Sequence, residues 1–167
     1  MASEGNINLI TLQPGIQNFS DACVVIIRTE WNADITGELE NGCRKVFQEY
    51  GTENVKFLIV PGAFELPFAV HQVYNHYKKN TQRLDAVIAL ACIIRGETPH
   101  FDYVAKAVTE GLTTLNAQLE VPVVFGVLTV NNKEQALDRC GGKDGHKGEE
   151  AALTALKMIQ FTAQLKS

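Results

Sequence analysis

Four times along this chain a short run of apolar residues gives way to a turn and then to a helical pattern. That alternation leaves few folds open. The runs are residues 22–27 (ACVVII), 55–60 (VKFLIV), 85–94 (DAVIALACII) and 122–130 (PVVFGVLTV). They are rich in β-branched residues, as strands of a parallel sheet are when both faces are covered. Helical patterns span residues 34–50, 64–79, from Thr98 onward, and 149–165. In the first, Ile35, Leu39, Cys43, Val46, Phe47 and Tyr50 recur at steps of three and four and make one buried stripe. Phe101, Val104, Val108, Leu112 and Leu115 do the same in the third. Right-handed crossovers turn this alternation into an α/β fold, a four-stranded parallel sheet flanked by helices on both faces. The pattern does not dictate strand order.

In such sheets ligands bind at the C-terminal ends of the strands. The first strand end presents Trp31 and Asn32, the second Ala63, Phe64 and Glu65, the third Gly96, Glu97, Thr98 and His100. At the third, Thr98 reads as an N-cap, Pro99 as the first helical residue, and His100 falls in the first turn. The open N–H groups of a helix start attract anions. An aromatic plate, carboxylates, N–H donors and an imidazole suit a flat heterocycle bearing hydroxyls, beside a phosphate. Each residue also has an ordinary reading. Trp31 can be a boundary aromatic, Glu65 a carboxylate facing the helix dipole, His100 a surface histidine, and Arg139 and Lys147 solvated charges.

Common nucleotide and hydrolase signatures are missing. No G-x-G-x-x-G follows a strand, and the glycine-rich loop 140–148 lacks the P-loop pattern. It follows a short helix, 132–139, opened by a capping-box spacing. There is no H-E-x-x-H and no G-x-S-x-G. The length of 167 residues fits one domain, 21–167, preceded by an arm, 1–20, whose run 7–12 (INLITL) reads either as an edge strand or as part of the arm. A net charge of −4 argues against nucleic acid as the main partner. Cys23, Cys43, Cys92 and Cys140 lack zinc-ligand spacing and read as reduced thiols, so no metal is expected. With neither a signal peptide nor an apolar run near the ~20 residues of a membrane span, the expectation is a cytoplasmic chain with no membrane contact.

Several motifs in order carry a resemblance over residues 22–158. They are Trp31-Asn32, VPGAFELP (60–67), IIRGETPHFDYV (93–104), PVVFGVLT (122–129), EQALDRCG (134–141) and HKGEEAA (146–152). Together they resemble the 6,7-dimethyl-8-ribityllumazine synthase family of riboflavin biosynthesis. The resemblance implies a three-layer, flavodoxin-like sandwich. It implies condensation of 5-amino-6-(D-ribitylamino)uracil with 3,4-dihydroxy-2-butanone 4-phosphate, through an imine, phosphate elimination and ring closure, with no metal and no organic cofactor. It also implies pentamers or multiples of pentamers, up to sixty-subunit capsids, with active sites between neighbours and riboflavin synthase as a candidate partner.

By this resemblance Trp31 stacks on the pyrimidine, Ala63, Phe64 and Glu65 hold the ribityl chain, and Ile93 and Ile94 offer backbone groups to the uracil edge. Glu97 and Thr98 supply donors to the phosphate, Arg139 its countercharge, and His100 transfers protons. Phe125, Arg139 and Lys147 come from the adjacent subunit, with Glu150 beside Lys147. Glu30, Ala91 and Glu97 depart from frequent family choices, as do Trp31, Pro99 and His146. Glu30 and Glu97 keep open one rival, a catalytically impaired lumazine or flavin carrier of the same fold. The loop from Arg139 to Lys147, which lacks the insertion of pentameric fungal members, keeps open a second, a hollow shell protein.

Overall fold

The computed structural model describes residues 19–165. The arm expected at residues 1–20 lies almost wholly outside them, including the run 7–12. In chain order the elements are β1 (Cys23–Thr29), α1 (Ala33–Glu49), β2 (Asn54–Val60), α2 (Leu66–Lys79), β3 (Ala86–Ile94), α3 (His100–Gln118), β4 (Val123–Val130), α4 (Lys133–Asp138), β5 (Cys140–Gly142), β6 (Gly145–His146) and α5 (Lys147–Gln164). β1 to β4 form one parallel sheet in the order β2-β1-β3-β4, with Val24 opposite Val55 on one side and Ala86 on the other.

Strand alternation divides the core into two layers. Val24, Ile26, Ile88, Leu90 and Cys92 face α1 and α5, where Ile35, Leu39, Cys43, Ala152 and Leu156 meet them. Cys23, Val25, Ile27, Val87 and Ala89 face α2 and α3, against Leu66, Val70, Val108 and Leu112. This is the three-layer α/β sandwich expected. At Gly148 the start of α5 lies against the α1 backbone, and a methyl group there would collide with the Leu39 carbonyl.

Three local expectations change. Thr98 does not cap α3. The helix begins at His100 with Pro99 at the cap position, φ −63°, and no side-chain capping bond. Proline's fixed φ is already helical, so its own carbonyl receives the N–H groups of Asp102 and Tyr103. The glycine-rich loop is a small antiparallel ribbon, β5 with β6, turned through Gly145 at φ 82°. α5 accordingly starts at Lys147, two residues early, with the His146 ring nitrogen accepting from the Gly148 N–H at 3.2 Å. Finally, among the described residues β2 is an edge strand and leaves Leu58 and Ile59 43% and 52% exposed, although its sequence is as apolar as that of β1.

Candidate active site

β1 connects to β2 on one side of the sheet, and β3 to β4 on the other. α1 and α3 therefore leave the neighbouring strands β1 and β3 on opposite faces, opening a crevice at their C-terminal ends. A cavity of about 650 Å³ lies there. Of the residues singled out from sequence, it brings together Trp31, Ala63, Phe64, Glu65, Ile93, Ile94, Thr98 and His100.

Three short connections build the walls. After β1 the chain is pinned to β2, with Glu30 N–H donating to the Val60 carbonyl at 2.8 Å and Trp31 N–H to the Pro61 carbonyl at 3.2 Å. The Thr29 hydroxyl donates to the Trp31 carbonyl at 3.1 Å. Asn32 then turns the chain in the left-handed region, φ 56°, a conformation asparagine tolerates better than most residues. Its side-chain amide donates to the Cys92 carbonyl at 2.8 Å. The Trp31 indole is left 71% exposed at the rim, its ring available to stack.

After β2, one turn of 3-10 helix, Ala63–Glu65, leads into α2. The Glu65 carboxylate stands over Gly62, within 2.9 Å of where a Cβ would be. Pro67, in the first turn of α2, packs against Gly111 of α3, which fixes the second wall to the third. After β3, residues 96–98 belong to neither strand nor helix, and His100 opens α3. His100 and Thr98 are exposed and line the cavity.

The floor includes Cys92, whose thiol is pushed up to about 12, chiefly by burial. It stays protonated near neutrality and is no nucleophile. Among the described residues, no group of three or more His, Cys, Asp or Glu side chains could hold a metal ion.

Four expected site residues lie off this cavity. Glu97 is in the same turn, but its side chain is not part of the lining. Phe125 sits on β4 opposite Ala89, part-exposed. Arg139 ends α4, and its guanidinium donates to Glu150 at 2.8 and 3.1 Å and to the Asp144 carbonyl. The Lys147 ammonium reaches the same Glu150 at 3.3 Å. One carboxylate thus gathers two cations at the start of α5. Asn32, placed at the first strand end from sequence but given no role there, also lines the cavity, as does Phe101, which was not assigned there. Phe101 fits the buried stripe of α3 equally well, so periodicity hides it. Asn32 is signalled only by its place directly after Trp31.

The sequence profile of the family described as 6,7-dimethyl-8-ribityllumazine synthase matches residues 21–163. Proteins of that name are similar over nearly their full lengths. The one from Bacteroides fragilis (strain YCH46) is 46% identical over 142 residues, 84% of this chain and 96% of that protein. The one from Cytophaga hutchinsonii is 44% identical over 162 residues, 96% of this chain and 99% of that protein. The one from Corynebacterium kroppenstedtii is also 44% identical over 162 residues, covering 96% and 95%.

Proposed function

The chain belongs to the 6,7-dimethyl-8-ribityllumazine synthase family, and from that membership we propose that it condenses 5-amino-6-(D-ribitylamino)uracil with 3,4-dihydroxy-2-butanone 4-phosphate. The products are 6,7-dimethyl-8-ribityllumazine, inorganic phosphate and two molecules of water. The observation that carries this reading is the crevice between β1 and β3, where Trp31, Glu65, Ile93, Ile94, Thr98 and His100 meet around one cavity.

The uracil ring stacks on Trp31, with its polar edge on the backbone groups of Ile93 and Ile94. The ribityl chain runs along Ala63 and Phe64, and Glu65 accepts its hydroxyls. The phosphate lies at the start of α3, where the backbone of Glu97 and the N–H and hydroxyl of Thr98 donate to it. The 5-amino group attacks the ketone carbonyl and forms an imine with loss of one water. Phosphate is eliminated to leave an enol that becomes a ketone. The ribityl-bearing nitrogen then closes the second ring on that carbonyl with loss of a second water. His100 sits beside both substrates and moves protons in these steps. Much of the acceleration comes from holding the two reactants together.

Phe125, Arg139 and Lys147 complete the site from a neighbouring subunit. They do not line the cavity of their own chain, and the Trp31 and Phe64 rings that line it are left exposed for a neighbour to cover. The assembly is a pentamer or a multiple of pentamers, in the cytoplasm. No helix among the described residues is long and apolar enough to cross a membrane.

Mixing the purified protein with both substrates, and following lumazine absorbance and phosphate release, tests the reaction. Release no faster than the spontaneous background overturns it. Mass measurement in solution tests the assembly, and a monomer overturns the shared site.

A further inference from the structure

The turn that lines the cavity is held from its outer side. Residues 96–98 have no ladder or helix of their own, so their position depends on what fixes the two ends. Arg95 does this. Its backbone N–H donates to the Val130 carbonyl at 2.9 Å, continuing the β3–β4 ladder one step beyond β3. Its guanidinium forks onto Asp102 in the first turn of α3, Nη2 to Oδ1 at 2.9 Å and Nη1 to Oδ2 at 3.3 Å. Nε donates to the Asn131 side-chain oxygen at 3.3 Å. Its Cζ lies 4.1 Å from the centroid of the Phe101 ring.

Ile94, Gly96, Thr98, His100 and Phe101 line the cavity, and Arg95 does not. Phe101 is therefore a partition, with the reaction cavity on one side and the guanidinium on the other. The clamp is anchored further on. Asn131 N–H donates to the Gln135 side chain at 2.8 Å, and Asn132 caps α4 through the Gln135 N–H at 2.9 Å. Arg95 thus joins the turn carrying Thr98 and His100 to the helix that ends at Arg139.

We propose that Arg95 is a positioning residue for the condensation, setting Thr98 and His100 against the cavity through its fork to Asp102 and its contact with Phe101. The inference rests on the proposed reaction. Stability is a poor explanation for the arrangement, because both side chains are largely exposed and exposed pairs add little. A planar fork in three-way contact fixes geometry instead.

The test compares Arg95→Gln, Arg95→Lys and Asp102→Asn with the wild type in the full assembled protein. For Arg95→Gln and Asp102→Asn, kcat falls by about 10- to 100-fold, the cost expected of a small misplacement. KM for the phosphate substrate rises, while KM for the pyrimidine stays within about twofold, because Trp31 and Glu65 are untouched. Tm moves by no more than about 4 °C, as suits the loss of one exposed pair. Arg95→Lys recovers part of kcat. Wild-type kcat in folded Arg95→Gln overturns the inference, as does equal loss of both substrates with a large fall in Tm. Should Arg95→Gln not fold, Asp102→Asn decides by the same criteria. A wild type without phosphate release would instead overturn the reaction itself, so the two failures are distinguishable.

Discussion

The side-chain amide of Asn32 donates to the backbone carbonyl of Cys92 at 2.8 Å, across the crevice where β1 and β3 send their helices to opposite faces. This one bond ties the turn that carries Trp31 to the strand that leads to His100.

Replacing Asn32 by alanine removes that bond and keeps a side chain in the left-handed region, φ 56°. The expected loss is about 2 kcal/mol of stability, from the hydrogen bond and the backbone conformation together. Asn32→Gly loses the bond but fits the backbone, so it loses less. Denaturant unfolding of the two variants separates the contributions. Equal stability in all three proteins would mean that the bond contributes nothing.

His100→Ala slows turnover by about 10² to 10⁴, the range for one general acid–base group. It does not abolish turnover, because holding the two substrates together still helps. Pyrimidine binding to the variant, read by fluorescence titration, stays near that of the wild type. Weakened pyrimidine binding with unchanged kcat would assign His100 to binding instead.

A site shared between subunits has a signature in mixed assemblies. His100→Ala and Arg139→Ala are each nearly inactive alone. Co-assembled in equal amounts, they place an intact His100 beside an intact Arg139 at about a quarter of the sites, as expected of random head-to-tail neighbours. Activity of the mixture at the mean of the two variants would place both residues in one chain's site.

The buried thiols set a limit at high pH. Cys43 is pushed up from 9.0 to about 12, first by burial and then by the Glu40 carboxylate. In the unfolded chain the same thiol ionises near its ordinary value. Between about pH 9 and 12 the unfolded state therefore holds fewer protons than the folded one, and stability falls as pH rises. Below that window the contribution is whole. Within it, this thiol alone removes about 1.4 kcal/mol per pH unit. Denaturant midpoints measured from pH 7 to 11 check the slope, and Cys43→Ala makes it less steep by this one thiol's share, Cys92 keeping its own. A midpoint rising across that range would contradict the assignment.

The four strands and their helices are legible because buried strands and amphipathic helices have different periods, and both periods run cleanly here. The strand ends that form the cavity are legible for the same reason. Strand order is not, since β2 and β4 carry similar apolar runs and only packing decides which side of β1 and β3 each takes. Thr98 misleads because threonine before proline looks like a cap, while proline's own geometry lets it take that place. Phe101 satisfies the stripe of α3 and the wall of the cavity at once, so its spacing cannot distinguish them. A role for Arg139 and Lys147 in the site rests on resemblance alone, since no local pattern sets them apart from charges held, as here, by Glu150.

The exposed flank of β2 bears on the fate of a newly made chain. Among the described residues, that strand is paired on one side only, and Leu58 and Ile59 stand uncovered beside the open backbone groups. Such an edge is a template for any extended segment that meets it. A chain whose β2 edge stays uncovered is therefore the more prone to aggregate the more of it is present. The amount of chain made, as well as its folding, thus bears on how much of it stays out of aggregates.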